Sequence, residues 1–315
     1  MSKILTVFGA TGKQGGSVIK SIMAHPTLSS TYKIRAVTRD ASKPTSQELA
    51  KQGAEVVVAD MSDKSSIAKA IEGSTAVYSV TDFWSHMSKD TEVGHGKSIA
   101  DASKAAGVKH LIWSGLPHVT KLTNGQLKHV LHFDGKAEVS EYIETIKGND
   151  MTATYFMPAY YMSNFLTAIQ PADEKTGEYT IGLPFGNGDS TMVPYIDIEK
   201  DTGTYVAAIL AADPTTVNGQ HIQAVSEWLT PNQTAQELSK ATGKKFNYRD
   251  VPADVWAKFL PPPVASELKE NMLLVRDYSY YGKGSEKGQE EQDKKLSVGE
   301  KSTLAQWAKS TGKWQ

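Results

Sequence analysis

The 315-residue sequence contains no cysteine, which excludes disulfide bonds, thiolate metal sites and cysteine nucleophiles. It also lacks any apolar run that approaches the ~20 residues of a membrane span. Its first segment, "MSKILTVFGATG", has no signal-peptide pattern. The formal net charge of -1 leaves no excess of basic residues for a nucleic acid backbone. These absences predict a cytoplasmic protein, with the nucleus as an alternative location, that binds neither membranes nor nucleic acids directly.

Short apolar segments alternate with helical patterns through the first half of the chain. The strand-like segments are residues 3–9, 32–40, 54–61, 75–81, 108–115 and 151–158. Strands that alternate with helices at this spacing predict βαβ units and a parallel sheet. Segments such as "LTVFG" and "EVVVA" are almost wholly apolar, as expected for a sheet that is covered on both faces. The predicted fold class is therefore α/β, with a Rossmann-type doubly wound parallel sheet.

The second half of the chain has proline- and glycine-rich connections such as "IGLPFGNGDSTMVP". This composition predicts a smaller α+β region that completes a cleft. We therefore divide the chain into a dinucleotide-binding domain at 1–156 and a smaller substrate or partner region at 157–315, with the chain free to cross between them. Within the second region, a helix over 230–243 is expected to begin with a capping box of Thr230 and Gln233.

Two further segments of the second region are interpreted from their composition. A helix over 252–260 is expected to stop at the prolines of "PPP". The segment 282–295, "GKGSEKGQEEQDKK", is charged and glycine-rich, which favours a solvated, mobile loop.

The segment "GATGKQGG" carries the strongest functional signal in the chain. Gly9, Gly12 and Gly15 follow a predicted strand and open a predicted helix. Glycines permit a tight turn and a close approach of the backbone, while the helix start offers free N–H groups to a diphosphate. The side chains of Thr11 and Gln14 are placed to add hydrogen bonds. This arrangement predicts a dinucleotide site.

The end of the second strand indicates which dinucleotide is preferred. An acidic residue at that point would bind the ribose hydroxyls and favour NAD. The sequence reads "AVTRDASK", with Arg39 at that point and Lys43 close behind, although Asp40 follows directly. A guanidinium binds a phosphate through two hydrogen bonds. We therefore predict NADP(H) as the cofactor.

Two later strand ends extend the predicted site. Asp60 and Met61, in "ADMSD", follow the third strand, where the adenine would lie. Thr81, Asp82 and Phe83, in "SVTDFW", follow the fourth strand, along the path of the cofactor. Since the carboxyl ends of parallel strands meet at one edge of the sheet, these side chains are expected to line one crevice.

Taken together, these segments resemble the NmrA-like family of atypical short-chain dehydrogenases/reductases. The resemblance is carried by "FGATGKQGGSV", "RAVTRD", "QGAEVVVADMSD" and "HFDGKAEVSEYI", and the pattern is most similar to the mammalian redox-sensor members. It implies NADP(H) binding and action on a regulatory protein partner. It also implies that Lys136, Tyr161 and Asn164 contact the cofactor. A lysine of the family's fourth helix is replaced by Gly94, with Lys97 one turn later.

The same resemblance raises the question of catalysis. In active relatives a tyrosine donates a proton, a lysine four residues later assists it, and a serine orients the substrate. Ser114 and Lys136 stand at the serine and lysine positions, but His132 stands at the tyrosine position. A tyrosine elsewhere could supply the missing hydroxyl; the candidates near the cofactor are Tyr155, Tyr160 and Tyr161.

Two functions stay open on these residues. In the first, the site is inert, Lys136 holds the cofactor, and the protein is an NADP(H) sensor that acts through a transcription factor or enzyme partner. In the second, the protein is an NADPH-dependent reductase of a small carbonyl or imine substrate that uses Lys136 or His132 as the acid. A scaffold that keeps the nucleotide for stability is a third alternative. His129 and His132 are too few to form a metal site, so no metal is predicted.

Overall fold

The computed structural model describes residues 2–169 and 173–314. The β-strands are β1 (Lys3–Val7), β2 (Tyr32–Thr38), β3 (Glu55–Val58), β4 (Ala76–Ser79), β5 (His110–Ser114), β6 (Thr152–Pro158), β7 (Tyr160–Tyr161), β8 (Tyr179–Leu183), β9 (Val193–Ile196), β10 (His221–Ala224), β11 (Glu227–Leu229) and β12 (Phe246–Asp250). The α-helices are α1 (Lys13–Ala24), α2 (Leu28–Thr31), α3 (Pro44–Lys51), α4 (Lys64–Ile71), α5 (Lys89–Ala105), α6 (Val119–Leu122), α7 (Leu131–Ile146), α8 (Phe165–Ala168), α9 (Asp201–Ala211), α10 (Pro214–Val217), α11 (Pro231–Thr242), α12 (Ala253–Ala257), α13 (Pro262–Leu273), α14 (Gln289–Leu296) and α15 (Leu304–Thr311). Over the described residues, no helix has both the length and the apolar character that a membrane crossing requires.

The largest sheet has seven parallel strands in the order β10–β6–β5–β4–β1–β2–β3. Each of the six predicted strand segments contains one of these strands, and the predicted α/β class with a doubly wound parallel sheet is confirmed. β4 and β5 are buried along their whole length, because helices cover both faces of the sheet.

Two apolar cores lie on the opposite faces of this sheet. On one face α1 packs against α9, where Ile19, Ile22 and Ile209 are fully buried. On the other face α5 packs against α4 and α7, where Trp113 and Ile143 are buried. Since α9 and β10 come from the second half of the chain, that half completes the large sheet and its cover.

The rest of the second half forms a smaller region around its own core. Its sheets have the strand orders β11–β9–β7 and β12–β8. The buried aromatic side chains of this core include Phe165, Tyr195 and Trp307. The predicted capping box of α11 is confirmed, since Thr230 Oγ1 accepts the N–H of Gln233 and Gln233 Oε1 accepts the N–H of Thr230.

The prolines of "PPP" lie where a second helix begins. The helix predicted over 252–260 is shorter, since α12 ends at Ala257. The prolines instead open α13, which begins at Pro262 and was not predicted. Proline is compatible with the first turn of a helix, because the N–H group that it lacks would have no hydrogen-bond partner within the helix there. α13 forms one wall of the cavity described below.

The predicted mobile loop over 282–295 is wrong for most of its length. Ser285–Gly288 form a 3₁₀ turn and α14 follows. Gln292 bonds with both backbone groups of Gln223 in the edge strand β10, at 2.9 Å each, and Gln289 is buried beside it. An edge strand leaves backbone donors and acceptors unpaired. The glutamines of α14 pair with those of β10, and these hydrogen bonds hold the charged helix against the sheet.

Candidate cofactor and substrate site

A cavity of about 1060 Å³ opens where the large sheet meets the smaller region. Its walls include the segments that follow β1, β2, β3, β4, β5 and β6, all at the carboxyl edge of the parallel strands. Ligands of open α/β sheets bind at this edge. The predicted residues that line the cavity are Gly9, Thr11, Gly12, Gln14, Arg39, Asp60, Met61, Thr81, Asp82, Phe83, Ser114, His132, Lys136, Tyr161 and Asn164.

The glycine-rich turn is built as a dinucleotide requires. Gly9 has a φ of +66°, and its carbonyl accepts the N–H of Gly12 at 2.9 Å. A Cβ on Gly15 would lie 2.3 Å from that carbonyl oxygen, so only glycine permits α1 to start so close to the turn. Gly15 thus packs against the turn and is not part of the cavity wall. No side chain caps α1 at Gly12, which leaves its first amides free for a phosphate.

Gln14 holds three hydroxyl groups beneath the turn. Its Oε1 accepts hydrogen bonds from Tyr78 Oη at 2.6 Å and from Ser114 Oγ at 2.8 Å. Its Nε2 donates to Tyr161 Oη at 2.7 Å. The Ser114 hydroxyl group therefore donates its hydrogen to Gln14. It is not available to donate to a substrate, which is the role expected for this serine.

The end of β2 presents one cation to the cavity. Arg39 is exposed on the cavity wall and makes no hydrogen bond to the described residues. Asp40, which follows it, accepts the N–H of Ser42 at 2.9 Å and is not part of the wall. The predicted second cation, Lys43, is exposed at the start of α3 and does not line the cavity. The guanidinium is thus free to bind an anion.

The end of β3 presents a carboxylate beside Arg39. Asp60 Oδ1 accepts hydrogen bonds from the N–H and the hydroxyl group of Ser62, at 2.8 and 2.7 Å. These bonds lower the pKa of Asp60, so the side chain stays anionic. Met61 also lines the cavity. A polar edge and an apolar face therefore occur where the sequence predicted an adenine.

Lys136 lies at the centre of a buried ionic group. Its Nζ donates to Glu92 Oε1 at 2.6 Å, to Thr81 Oγ1 at 2.9 Å and to the Thr81 carbonyl at 3.2 Å. Burial disfavours the charged form of Glu92, but the charge and hydrogen bond of Lys136 outweigh it and lower the pKa of Glu92. The three ammonium hydrogens of Lys136 are all directed at protein oxygens.

Sequence reasoning missed Glu92, although a signal was present. The buried residues of α5 recur on one helical face as Glu92, Gly96, Ile99, Ala100 and Ser103. A carboxylate on the buried face of a helix needs a charged or hydrogen-bonding partner. The spacing therefore indicated that Glu92 has a partner, but not that the partner is Lys136.

His132 lines the cavity, and one of its ring nitrogens is free. Its Nδ1 is hydrogen bonded to Glu267 of α13, which also accepts the backbone N–H of His132 at 3.0 Å. Since a carboxylate only accepts hydrogen bonds, the hydrogen of the neutral ring lies on Nδ1. Nε2 has no partner among the described residues and is not sealed from solvent. The site therefore holds an imidazole in one tautomer with one nitrogen available.

The cavity has a charged part and an uncharged part. The charged lining residues come from the glycine turn, the strand ends and α7; they are Lys13, Arg39, Asp60, Asp82 and Lys136. Every lining residue from Pro158 onward is uncharged, and these residues are called the uncharged chamber. They come from β6 to β8, α12, α13 and the segments next to these elements, and include Tyr160, Leu183, Trp256, Leu260, Leu268, Met272 and Tyr280. Asn271, also among them, is buried with its amide nitrogen unpaired.

Residues 1–308 match the NmrA-like family. The chain belongs to this family. The NmrA-like family domain-containing oxidoreductase FrzB of Cladobotryum sp is 32% identical over 265 residues, which cover 80% of this chain and 77% of that protein. The structure of NmrA, a negative transcriptional regulator, in complex with NADP is similar with a TM-score of 0.80 at 21% identity, over 98% of this chain and 94% of that chain. Triphenylmethane reductase of Citrobacter sp., complexed with NADP(H), has a TM-score of 0.74 at 21% identity, over 98% and 99%.

The two structural likenesses show that this NmrA-like chain shares its fold with a regulator and with a reductase. None of the three proteins named is described as mammalian, so the particular likeness to the mammalian redox sensor stays a prediction. Gly94 stands where the family resemblance implies a lysine that contacts the cofactor, and Lys97, one helical turn later, does not take its place. Lys97 lies over the ring of Tyr142, 4.8 Å from its centroid, and neither Gly94 nor Lys97 lines the cavity.

The tyrosines near the site are poor replacements for the missing donor of this NmrA-like chain. Tyr155 donates its hydroxyl to Glu144 and does not line the cavity. Tyr160 and Tyr161 do line it, but burial raises the pKa of each to about 12. No hydrogen bond joins Lys136 to a tyrosine hydroxyl within the described part of the chain. A raised pKa makes these hydroxyls weaker acids.

Proposed function

We propose that this NmrA-like protein is an NADPH-dependent reductase of a small, uncharged substrate with a carbonyl or imine bond. The observation that carries the proposal is the free Nε2 of His132 on the wall of a cavity that continues into an uncharged chamber. A protein that only senses a dinucleotide has no need of such a chamber. A reductase needs both a place for the substrate and a proton donor there.

The residues of the charged part fit NADP(H). The first amides of α1 have no side-chain cap and can bind a diphosphate. The guanidinium of Arg39 makes no hydrogen bond to the described residues and can bind a 2′-phosphate, with the Asp60 carboxylate beside it for a hydroxyl or amino group of the cofactor. When bound, NADPH supplies a hydride. The protein itself must then bind the substrate, exclude water from it and provide a proton.

Among the candidates for that proton, His132 is favoured over Lys136. All three hydrogens of the Lys136 ammonium group are directed at Thr81 and Glu92, and removing one would leave the buried Glu92 carboxylate poorly paired. The protonated imidazole, in contrast, presents Nε2–H with no competing acceptor. Lys136 therefore keeps the buried charge of Glu92 balanced, and His132 is the acid.

The substrate class follows from the chamber. Its walls carry no charged side chain to pair with an ionic substrate, and burying an unpaired charge there is costly. Aromatic and aliphatic side chains on these walls favour an apolar body. The description of FrzB and of triphenylmethane reductase as redox enzymes supports the same reaction class.

Loss of NADPH absorbance over a panel of carbonyl and imine compounds tests the proposal. We expect turnover of uncharged aromatic or aliphatic members and much slower turnover of matched carboxylated members. Absence of NADPH oxidation with every member, from protein shown to bind NADPH by calorimetry, would contradict the proposal.

A second function, an NADP(H)-dependent regulator, is favoured by one observation. The Ser114 hydroxyl and the Lys136 ammonium group, which assist catalysis in active relatives, are both engaged with protein atoms. On this alternative, cofactor binding shifts the population of a partner-binding conformation. Affinity capture of partners with and without NADPH tests it, and identical partner sets under both conditions would count against it.

Arg39 is predicted to determine cofactor preference. In Arg39→Ser we expect NADPH affinity to fall roughly 10- to 100-fold, the loss of charge-assisted hydrogen bonds to a phosphate. NADH affinity should change little. Isothermal titration calorimetry measures both. Lys43→Ser is the matched control, since Lys43 is not on the cavity wall, and a wild-type protein that binds NADH more tightly than NADPH would refute the prediction.

A further inference from the structure

Two glutamates of α13 meet the start of the helix that carries His132 and Lys136. Glu270 Oε2 accepts the backbone N–H groups of Lys128 and His129 at 2.6 and 2.7 Å, while its Oε1 is hydrogen bonded to the His129 ring at 2.5 Å. Glu267 makes the corresponding contacts one helical turn away, to the backbone and ring of His132. The start of α7 has no side-chain cap of its own, so α13 supplies carboxylate acceptors from a distant part of the chain.

The two glutamate–histidine pairs differ in what surrounds them. The His129 side chain is 62% exposed and is not part of the cavity wall. The His132 side chain is 13% exposed and lines the cavity, and its partner Glu267 is 8% exposed behind it. Both pairs thus join α13 to the region where α7 begins through backbone N–H groups and an imidazole ring, but only the His132 ring lines the cavity.

The His132 ring has little freedom to turn. It contacts the rings of Trp84, Phe83 and Phe133, with centroids 5.0, 5.8 and 4.7 Å away. With these rings around it and Nδ1 bonded to Glu267, Nε2 is the nitrogen left for the cavity. A carboxylate that holds the far nitrogen of an imidazole fixes its tautomer and stabilises the positive ring, as in the serine-protease triad.

We infer that Glu267 is the positioning residue of the reduction, and that it orients His132 and balances its charge so that Nε2–H donates the proton. The inference rests on the proposed function. A hydride from NADPH adds to the carbonyl carbon, and the electron pair of the broken π bond takes the Nε2 proton at oxygen. NADPH becomes NADP⁺, the substrate becomes an alcohol, and the ring regains its proton from water. Since α13 also walls the chamber, the same helix shapes the substrate site and completes the acid.

Glu267→Gln and Glu270→Gln form a matched pair of variants. Glutamine keeps an acceptor oxygen for the backbone of α7 but removes the carboxylate charge. In Glu267→Gln we expect kcat to fall about 100-fold, with substrate KM and NADPH affinity within about twofold. In Glu270→Gln all three should stay within about twofold, because His129 lies outside the cavity. Equal losses in both variants, or a change confined to KM, would assign Glu267 to helix capping alone.

A second measurement does not depend on turnover. Nitrogen-15 NMR of the histidine rings in cofactor-free protein reports which ring nitrogen carries hydrogen, with His132→Gln used to assign the signal. We expect the Nδ1–H tautomer in the wild type, in Glu270→Gln and in Glu267→Gln, because the glutamine oxygen still accepts the Nδ1 hydrogen. An Nε2–H tautomer in the wild type overturns the inference. The expected tautomers in a protein without reductase activity would support the positioning of His132 while refuting the proposed reaction.

Discussion

Replacing Lys136 by methionine is expected to lower the free energy of unfolding by about 3–5 kcal/mol, the typical cost of removing one partner of a buried ion pair. Glu92 is fully buried and Lys136 nearly so, and their charged atoms lie 2.6 Å apart. Without the ammonium group, the Glu92 carboxylate keeps only the short hydrogen bond from Thr81 and a more distant histidine, His86, 3.7 Å away. Urea unfolding at neutral pH measures this decrease in the free energy of unfolding.

Lys89→Met provides the control for this substitution. Lys89 pairs with Glu138 at the same 2.6 Å distance, but both side chains are about one-third exposed, and such pairs contribute about 0–1 kcal/mol. The double variant Glu92→Gln, Lys136→Met removes both charges and should recover a large part of the lost stability. Equal unfolding free energies for the Lys89 and Lys136 variants would show that the buried pair does not behave as an ion pair.

The Glu92–Lys136 pair predicts that the free energy of unfolding depends on pH. Because the pKa of folded Glu92 is lowered, the pair stabilises the wild type above the usual carboxyl pKa of 4.5, and this contribution is lost as the pH falls through the lowered value. In Lys136→Met an unpaired Glu92 gains a proton more readily. The stability difference between wild type and variant should therefore narrow in acid, and a difference that widens there would contradict the assignment of charges.

Replacing His132 by glutamine is expected to lower kcat by about 100-fold or more, the usual contribution of a general acid. NADPH affinity should be nearly unchanged, because the proposed cofactor contacts come from the glycine turn, the start of α1 and Arg39. Single-turnover measurement of NADPH oxidation with an uncharged substrate gives the rate of the chemical step. The substitution thus separates the acid from the residues that hold the cofactor.

His129→Gln is the matched control, since it removes an imidazole from the same end of α7 but outside the cavity. Its kcat should stay within about twofold of the wild type, because it has no access to the substrate. If His132→Gln kept full activity while Lys136→Met, corrected for its folded fraction, abolished it, the proton would come from Lys136. The alternative acid that the sequence left open would then be correct.

Much of the nucleotide half could be predicted from the sequence. Strands and helices leave local periodic patterns, and the turn from Gly9 to Gly15 leaves a pattern of glycines that its close backbone contacts require. The positions that follow β1 to β4 could be assigned to one crevice because parallel strands end on the same edge. Two residues are exceptions: Gly15 packs beneath the turn, and Lys43 is exposed at the start of α3 and does not line the cavity.

The chamber could not be predicted in the same way. Its wall includes α13, whose opening prolines favour the end of a helix and not a beginning. In α14, elsewhere in the same region, the charged composition favours a loop. Both helices are stabilised by distant partners: Glu267 meets His132 and Gln292 meets Gln223, pairs 135 and 69 residues apart in the chain. Local composition carries no information about such partners.

The sequence by itself determined the family, the α/β fold and the residues of the glycine turn, because each is encoded in patterns within a few tens of residues. It also placed His132 and Lys136 one helical turn apart. Only the tertiary structure decided which of them is free to act, since Glu92 lies 44 residues from Lys136 and Glu267 lies 135 residues from His132. The chemistry of a side chain depends on the charges that the fold brings to it, and those contacts exist only once the chain has folded.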